Sequence, residues 1–319
     1  MRLRIGLLCL SFLLLLLIVF SLLWGPTGFG WSSVFGSASS PVAQHIFYHI
    51  RLPKTVAAVL SGAALSVSGL ALQTLFRNPL CGPFVLGISS GASLGVALSL
   101  LAGLTFGCFG VLSSAAIGAL VVTIFVMYVS SKFERASVLL IVGLLTGYFV
   151  DGFVSLLIAS SSAESLKVYV SWGMGSFGRL TFEQMGIFSV AVAVGLLLIA
   201  VSIRYLNAAG LGDEFAKNLG INVGLYKRMV ILGASILAAA ATSFCGPVAF
   251  VGIAVPHLAY ALTQSSNYRV LLPATLLCGS SLCLLAGLFT TLPLNALLSI
   301  VGVPMILWVL IRSSRNWRL

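Results

Sequence analysis

The sequence predicts an all-α membrane protein that crosses the lipid bilayer about ten times. Hydrophobic residues make up 60% of the 319 residues and charged residues only 7%, whereas about a quarter of the residues of a water-soluble domain are charged. The apolar residues fall in runs of about 20, the length that spans a bilayer as a helix. The alternating segments of a transmembrane β-barrel, each about ten residues long, do not occur.

The first apolar run, from Ile5 to Trp24, follows the basic residues Arg2 and Arg4. A signal peptide also begins with positive charge, but its apolar region is shorter and ends at a small-residue cleavage site. We therefore expect this run to be retained as the first spanning helix. Charged and turn residues separate the further runs, so we expect one transmembrane domain over residues 1–319. The ten expected spans lie near residues 5–24, 55–76, 84–104, 108–131, 137–159, 184–203, 228–245, 249–264, 270–290 and 296–312.

The basic residues indicate the orientation, because cytoplasmic loops of membrane proteins are enriched in Lys and Arg. With the N-terminus inside and ten crossings, thirteen basic residues lie inside and four outside. The sequence therefore predicts both termini in the cytoplasm. The net charge of +11 follows from this topology and implies no nucleic-acid partner. The outside basic residues are Arg51, Lys54, Lys167 and Arg179.

A short internal repeat is visible in the two halves of the chain. Cys81-Gly82-Pro83 is followed by Leu86-Gly87-Ile88, and Cys245-Gly246-Pro247 is followed by Val251-Gly252-Ile253. Each motif follows a run rich in small residues, and the two preceding spans run in opposite directions in the expected topology. This pattern predicts an inverted repeat, a common basis of alternating access in transporters.

Gly87, Gly91 and Gly95 recur every fourth residue, which places them on one face of a helix. Small residues at this spacing let a neighbouring helix pack closely, and they could equally line a substrate pathway. Residues 87–91, which include Ser90, also fit the G-x-S-x-G pattern of hydrolases. That pattern requires a strand before the serine, and an apolar helical run makes a hydrolase improbable.

Three ionisable residues are candidates for chemistry within or beside the spans. His45 and His49 are four residues apart and could share a metal, but no third ligand has a suitable spacing. Asp151 is the acidic residue expected inside a span, where a carboxylate is costly and by default a functional candidate. Asp151 could instead lie near the outer end of its helix or bond a nearby hydroxyl such as that of Ser155.

No cofactor site is evident in the sequence. The G-x-x-x-x-G-K-[ST] loop that binds nucleotide phosphates is absent, so ATP with its Mg²⁺ would have to be bound by a partner chain. The six cysteines are scattered through apolar runs without metal-ligand spacing, and we expect them to behave as small hydrophobic residues. Clusters of catalytic spacing are absent, and this disfavours an enzyme.

Three blocks of the sequence resemble the FecCD-type permeases, the membrane subunits of bacterial ABC importers for iron siderophores, haem and cobalamin. The resemblance covers nearly the whole chain, and that family also has ten spans. The matching blocks are Arg51-Leu52-Pro53-Lys54 through Arg77-Asn78-Pro79-Leu80 to Ser90-Gly91-Ala92, then Gly246-Pro247 through Gly252 to Val255-Pro256-His257, and Gly302-Val303-Pro304 with Leu307-Trp308.

The resemblance implies a set of partners in the bacterial cytoplasmic membrane. A second permease, either another copy or a sibling, would form a two-fold pathway with this chain. Two cytoplasmic ATP-binding subunits would drive transport, and an extracytoplasmic binding protein would deliver the substrate. We expect a pathway wall of small, hydroxyl and apolar side chains without a tight binding site.

The resemblance also assigns roles to residues. The cytoplasmic segment at about 205–227 would contain the coupling segment that docks on the ATPase, and Arg51 with Lys54 would contact the binding protein. The coupling residues are Leu211, Gly212, Glu214, Ala216, Leu219 and Gly220. The pathway or packing residues are Gly87, Ser90, Gly91, Gly95, Gly252 and Pro256.

One stretch departs from the family, and one alternative function stays open. Members often carry an Asp and an Arg near the end of the ninth span, whereas residues 286–291 here contain neither; this puts one docking charge in doubt. The inverted repeat alone would also suit an ion-gradient-driven secondary transporter with Asp151 as the carrier. The transported chelate and the choice between homodimer and heterodimer are not predicted.

Overall fold

The computed structural model describes residues 2–23, 41–104, 110–132, 136–289 and 292–314, and these residues form helices without any β-strand. Residues 24–40, 105–109, 133–135, 290–291 and 315–319 lie outside the described residues. They include the start of the span expected at 108–131. The helices in chain order are α1 Arg2–Leu23, α2 Pro41–Ile46, α3 Leu52–Phe76, α4 Ile88–Leu100, α5 Val111–Lys132, α6 Ala136–Ala159, α7 Ala163–Gly173, α8 Met185–Val201, α9 Ile203–Ala209, α10 Asp213–Asn218, α11 Val223–Cys245, α12 Val251–Thr263, α13 Tyr268–Leu288 and α14 Leu294–Ser314.

The all-helical class and the approximate number of spans are confirmed. Among the described residues, six helices are long and apolar enough to cross a membrane, with α2 and α3 joined into one of 36 residues. Helices α8 and α9 meet at 54° and count together as a seventh. Three shorter apolar helices, α4, α12 and the described apolar part of α14, coincide with the remaining expected spans. Helices satisfy their own backbone groups, which is why this class suits lipid.

Both α4 and α12 start at a break in the backbone, which makes them shorter than the expected spans. Gly87 precedes α4 with φ 71°, after a 3-10 turn at Pro83–Leu86. Phe250 precedes α12 with φ 67°. Glycine adopts this left-handed conformation without strain, whereas a bulky residue does so only when surrounding packing holds it. Each break falls shortly after the Cys-Gly-Pro motif of its half, four residues beyond Pro83 and three beyond Pro247.

The packing around the two breaks is also equivalent, in agreement with the inverted repeat. Gly143 of α6 lies against the first break: a Cβ added there would stand 2.3 Å from the carbonyl oxygen of Val85. Gly302 of α14 lies against the second break, where an added Cβ would stand 2.6 Å from the Cβ of Phe250. In each half, therefore, a glycine of the last span lets the helix approach a break: Gly143 meets its backbone, and Gly302 meets the side chain of Phe250.

Helix α3 lies at the centre and packs against α11, α12 and α13. Hydroxyl groups join these helices in the buried core: Ser66 Oγ donates to the Thr275 carbonyl at 3.1 Å, and Ser68 Oγ donates to the Ala234 carbonyl at 3.0 Å. Lipid tails are as apolar as leucine, so helices associate in a membrane through close packing and such polar bonds. The small residues of α3 and α11 serve this packing.

Segments that were expected on one side of the membrane lie at one end of the bundle. Arg77, Lys227 and Asp213 form one charged cluster, and Asn207 Oδ1 accepts a bond from the backbone nitrogen of Tyr268 at 2.9 Å. We call this the predicted cytoplasmic end. At the opposite end, the backbone nitrogen of Ser176 donates to the Cys245 carbonyl at 2.7 Å, and that of Asn295 donates to the Met174 carbonyl at 3.1 Å.

Candidate functional site

The short helix α10 presents an apolar face at the predicted cytoplasmic end of the bundle. Phe215 within the helix, and Leu211 and Leu219 just beyond its two ends, are exposed by 44%, 71% and 59% of their surface. Phe215 and Leu219 are one helical turn apart. Ala216 points the other way and is fully buried. Exposed apolar clusters of this kind mark sites where another protein binds. We name Leu211, Phe215 and Leu219 the α10 patch.

Glycines and ion pairs fix α10 against the central helices. Gly212 and Gly220 flank the helix with φ angles of 122° and 75°, which side chains rarely adopt. The Asp213 carboxylate lies 3.5 Å from Arg77 at the end of α3 and 3.5 Å from Lys227 in the first turns of α11. Each pair is partly exposed and contributes little stability alone, but together they tie α10 to both central helices.

The expected coupling residues thus separate into four kinds. Leu211 and Leu219 belong to the exposed patch, and Gly212 and Gly220 shape the turns. Glu214 is exposed and pairs with Lys217 at 2.9 Å on the helix surface. Ala216 lies in the core, so its contact is with this chain. The role of these residues in coupling stays a prediction.

The sequence reasoning did not select three residues that the structure brings into this site. Phe215 could have been found, because it lies one helical turn before Leu219 in the sequence. Arg77 and Asp213 are 136 positions apart in the sequence, and no local pattern links them.

Arg51, expected to contact a binding protein, is only 8% exposed. Its Nη1 donates to the carbonyl oxygens of Leu22 and Leu23, at 3.0 and 2.7 Å, where α1 ends. A guanidinium at a helix C-terminus satisfies free carbonyls and complements the helix dipole. Lys54, one turn further along, is half-buried. The geometry gives Arg51 a structural contact, and docking by this pair stays a prediction.

The glycines of α4 are packing positions in this structure. A Cβ added at Gly91 would stand 2.6 Å from the carbonyl oxygen of Gly118, and one at Gly95 would stand 2.0 Å from that of Ser114. Both partners lie on α5. Gly87 forms the break before α4, and Ser90 on the same helix is half-buried. These contacts hold α4 close to α5 and α6, and a pathway role for them remains a prediction.

Gly252 and Pro256 lie buried in α12. A Cβ at Gly252 would stand 2.6 Å from Cδ of Pro83, so the broken segments of the two halves contact each other inside the bundle. His257, next to Pro256, places Nε2 2.8 Å from the Pro79 carbonyl. These two contacts join the first half of the chain to the second at this point.

His45 and His49 stack with ring centroids 4.3 Å apart. Within the described ranges, no group of three His, Cys, Asp or Glu side chains is placed to hold a metal ion. Among those residues, therefore, no third side chain of these types completes a metal site with the stacked pair.

Asp151 lies on α6 and is exposed. The Ser155 hydroxyl donates to the backbone carbonyl of Asp151 at 2.8 Å, not to its carboxylate. Among the described residues no cation forms a salt bridge with Asp151. The carboxylate is thus free to face whatever adjoins this side of α6.

A bundle of apolar spans with an inverted repeat, and an exposed apolar helix at one end, defines the membrane subunit of a transporter. A model of the FecCD transport family matches residues 13–312. The chain belongs to the FecCD transport family. As the family and its relatives are ABC importer permeases, the ion-gradient alternative is not favoured.

Similar proteins support this assignment over nearly the whole chain. The vitamin B12 import system permease protein BtuC of Escherichia coli (strain UMN026) is 31% identical over 97% of this chain and 95% of its own. The uncharacterized ABC transporter permease protein YvrB of Bacillus subtilis (strain 168) is 34% identical over 94% of this chain and 87% of its own. These relatives are permease subunits and not enzymes.

A solved structure has the same fold. It is described as an inward-facing conformation of a metal-chelate type ABC transporter, and it matches with a TM-score of 0.84 and 29% identity over 96% of this chain and 98% of its own. PsaBC from Streptococcus pneumoniae matches with a TM-score of 0.51 and 17% identity over 84% of this chain and 93% of its own, which shows likeness of fold only.

Proposed function

We propose that this chain is the pathway-forming subunit of an ABC importer that moves an iron chelate or cobalamin into the bacterial cytoplasm. Two such subunits, as a homodimer or with a sibling, would enclose the pathway in the cytoplasmic membrane. A pair of ATP-binding subunits would bind the nucleotide and Mg²⁺, and an extracytoplasmic protein would deliver the substrate. The names of two similar proteins, a vitamin B12 importer and a metal-chelate type transporter, support this substrate range.

The α10 patch is the observation that carries the proposal. Three large apolar side chains lie beside the charged cluster of Asp213 with 44–71% of their surface exposed. Burying such side chains in a groove of a partner is favourable by roughly 1.5–3 kcal/mol each. A partner that moves on binding ATP would push α10, and the ion pairs to Arg77 and Lys227 would transmit the push to α3 and α11.

The direction of transport follows from the predicted orientation. Basic residues are concentrated in the segments that meet at the α10 end, which supports a cytoplasmic location for that end and for both termini. The ATPases would then act from the cytoplasm, while Lys54 would lie at the outer surface. A half-buried basic residue there would orient and speed the encounter with an acidic binding protein rather than supply much affinity.

Reconstitution tests the proposal directly. The chain, co-expressed with the ATPase and binding protein encoded nearest to it, is placed in proteoliposomes, and uptake of radiolabelled cyanocobalamin and ferric hydroxamate chelates is measured. We expect uptake only with ATP on the ATPase side and with the binding protein on the other. Uptake that a proton gradient drives without ATP, or ATP hydrolysis by the purified chain alone, would overturn it.

A further inference from the structure

Asp151 lies well inside the membrane. The span Val138–Ala159 contains 22 residues and is about 33 Å long, slightly more than the hydrocarbon layer of about 30 Å. Asp151 is eight residues before Ala159, which places it about 12 Å from that end. With the span centred, the carboxylate lies about 10 Å inside the hydrocarbon edge. An ionised group at this depth is strongly disfavoured against lipid and is found facing water or another polar group.

The exposed surface of α6 has two flanks of different chemistry. One flank is wholly apolar, with side chains that suit lipid or a packed helix: Leu145, Phe149, Phe153 and Leu156. In the outer half of the span the other flank is polar or small, and its exposed residues fall at helical spacing: Tyr148, Asp151, Gly152 and Ser155. Nearer the inner end the same flank carries the exposed apolar residues Ile141 and Leu144. A helix with this division separates an apolar environment from an aqueous one.

Polar groups from two other helices border the polar flank. Tyr169 of α7 bonds the hydroxyl of Ser93 of α4 at 2.6 Å. Burial raises the pKa of the Tyr169 phenol, the bond to Ser93 lowers it, and the negative charge of Asp151 raises it. Asp151 is therefore near enough for its charge to act at Tyr169.

We propose that Asp151 gives the outer half of the pathway a negatively charged wall that favours neutral and cationic chelates over anionic ones. The inference rests on the proposed function, because the water facing Asp151 is taken to be the pathway between two permease subunits. In a homodimer the same pathway would contain two Asp151 carboxylates, one from each subunit. Rings of carboxylates select against anions in other membrane pathways.

The negative charge of Asp151 narrows the range of chelates that the pathway would favour. Cobalamin and many trihydroxamate chelates of iron are neutral or cationic. Ferric citrate, catecholate chelates and haem with its propionates are anionic. An importer that carried only anionic chelates would gain nothing from an unpaired carboxylate in its wall, whereas a neutral chelate with amide or hydroxyl donors can hydrogen-bond to it while passing.

Cysteine labelling tests the location and the charge without knowledge of the cargo. Ser155 is changed to Cys, one turn from Asp151, with and without Asp151→Asn. Cationic and anionic methanethiosulfonate reagents are applied to the full-length chain in membranes. We expect Ser155→Cys to react with both, and the ratio of cationic to anionic rates to fall about tenfold when Asp151 is neutralised.

A matched variant controls for background reactivity. Phe153→Cys lies on the apolar flank of the same helix and is expected to stay unmodified by these water-soluble reagents. The chain with Ser155 intact gives the labelling of the native cysteines. An unreactive Ser155→Cys in a folded protein, or a rate ratio that Asp151→Asn leaves unchanged, would overturn the proposal.

Uptake assays separate this inference from the proposed function. In the reconstituted importer, Asp151→Asn is expected to raise uptake of ferric citrate relative to cyanocobalamin or ferrioxamine by several-fold compared with the parent protein. ATP-driven uptake whose chelate preference is unaffected by Asp151→Asn would contradict the charged wall while leaving the importer intact. A charge effect in the labelling assay without any ATP-driven uptake would instead contradict the proposed function.

Discussion

Gly69 of α3 lies directly against Gly252 of α12: a Cβ added at Gly69 would stand 1.8 Å from the carbonyl oxygen of Gly252. The two backbones are thus in contact at the point where α12 begins, after its break. Gly252 in turn contacts Pro83 of the first break. The central helix and both broken helices are therefore held together through glycines, and a change here should affect the whole bundle.

Gly69→Ala is expected to destabilise the protein by about 1–3 kcal/mol, the usual cost of overpacking a core. Alanine would gain about 1 kcal/mol of helix propensity over glycine, but a backbone oxygen at 1.8 Å cannot give way. Thermal unfolding in detergent, followed by size-exclusion chromatography, measures the change. Gly186→Ala is the matched control, because nothing lies within 4 Å of the added methyl. Equal stability of the two variants would show that the helices do not approach this closely.

Gly143→Ala and Gly302→Ala test the equivalence of the two halves. Each added methyl meets rigid atoms of a break, at 2.3 and 2.6 Å, so both variants are expected to lose stability by similar amounts of about 1–3 kcal/mol. Gly152→Ala on α6, with open space around it, should be neutral in the same unfolding assay. A large loss for Gly143→Ala with none for Gly302→Ala would mean that the breaks are packed differently.

Arg51→Met is expected to lower stability by about 2 kcal/mol, because the last carbonyls of α1 lose a charged donor. Lys54→Met should be close to neutral in the same assay. If the pair also contacts a binding protein, Lys54→Glu should slow the association of that protein without affecting unfolding. An Arg51→Met protein of unchanged stability that associates more slowly with the binding protein would contradict this prediction. It would show that Arg51 serves docking and not the end of α1.

The fold could be predicted largely from physical regularities of the sequence. Lipid requires about 20 apolar residues per span, and charges mark the ends of the runs, so all ten expected spans have counterparts. The breaks before α4 and α12 were not predicted. Both the break and the following helix are apolar, and hydropathy does not distinguish them; only the positions of Gly87 and Pro83 hinted at a change of backbone.

The candidate site was predicted less completely, because its geometry depends on distant residues. The resemblance to a known family supplied Leu211 and Leu219, which are two of the three residues of the α10 patch. The inward direction of Ala216 follows from packing. The Arg51 side chain points inward because its guanidinium meets the carbonyls at the end of α1. Neither is encoded in the local pattern.

The proposed importer depends on docking of the α10 patch against an ATP-binding subunit. Phe215→Asp in the reconstituted importer tests this docking. The substitution removes roughly 1.5–3 kcal/mol of apolar burial and adds a charge to the contact, so ATP-driven uptake should fall at least tenfold while the permease unfolds at its usual temperature. Phe215→Leu, which keeps the patch apolar, should retain most uptake. We expect Phe215→Asp to lose uptake and ATPase binding together. If Phe215→Asp leaves ATP-driven uptake unchanged, the α10 patch does not dock on the ATPase.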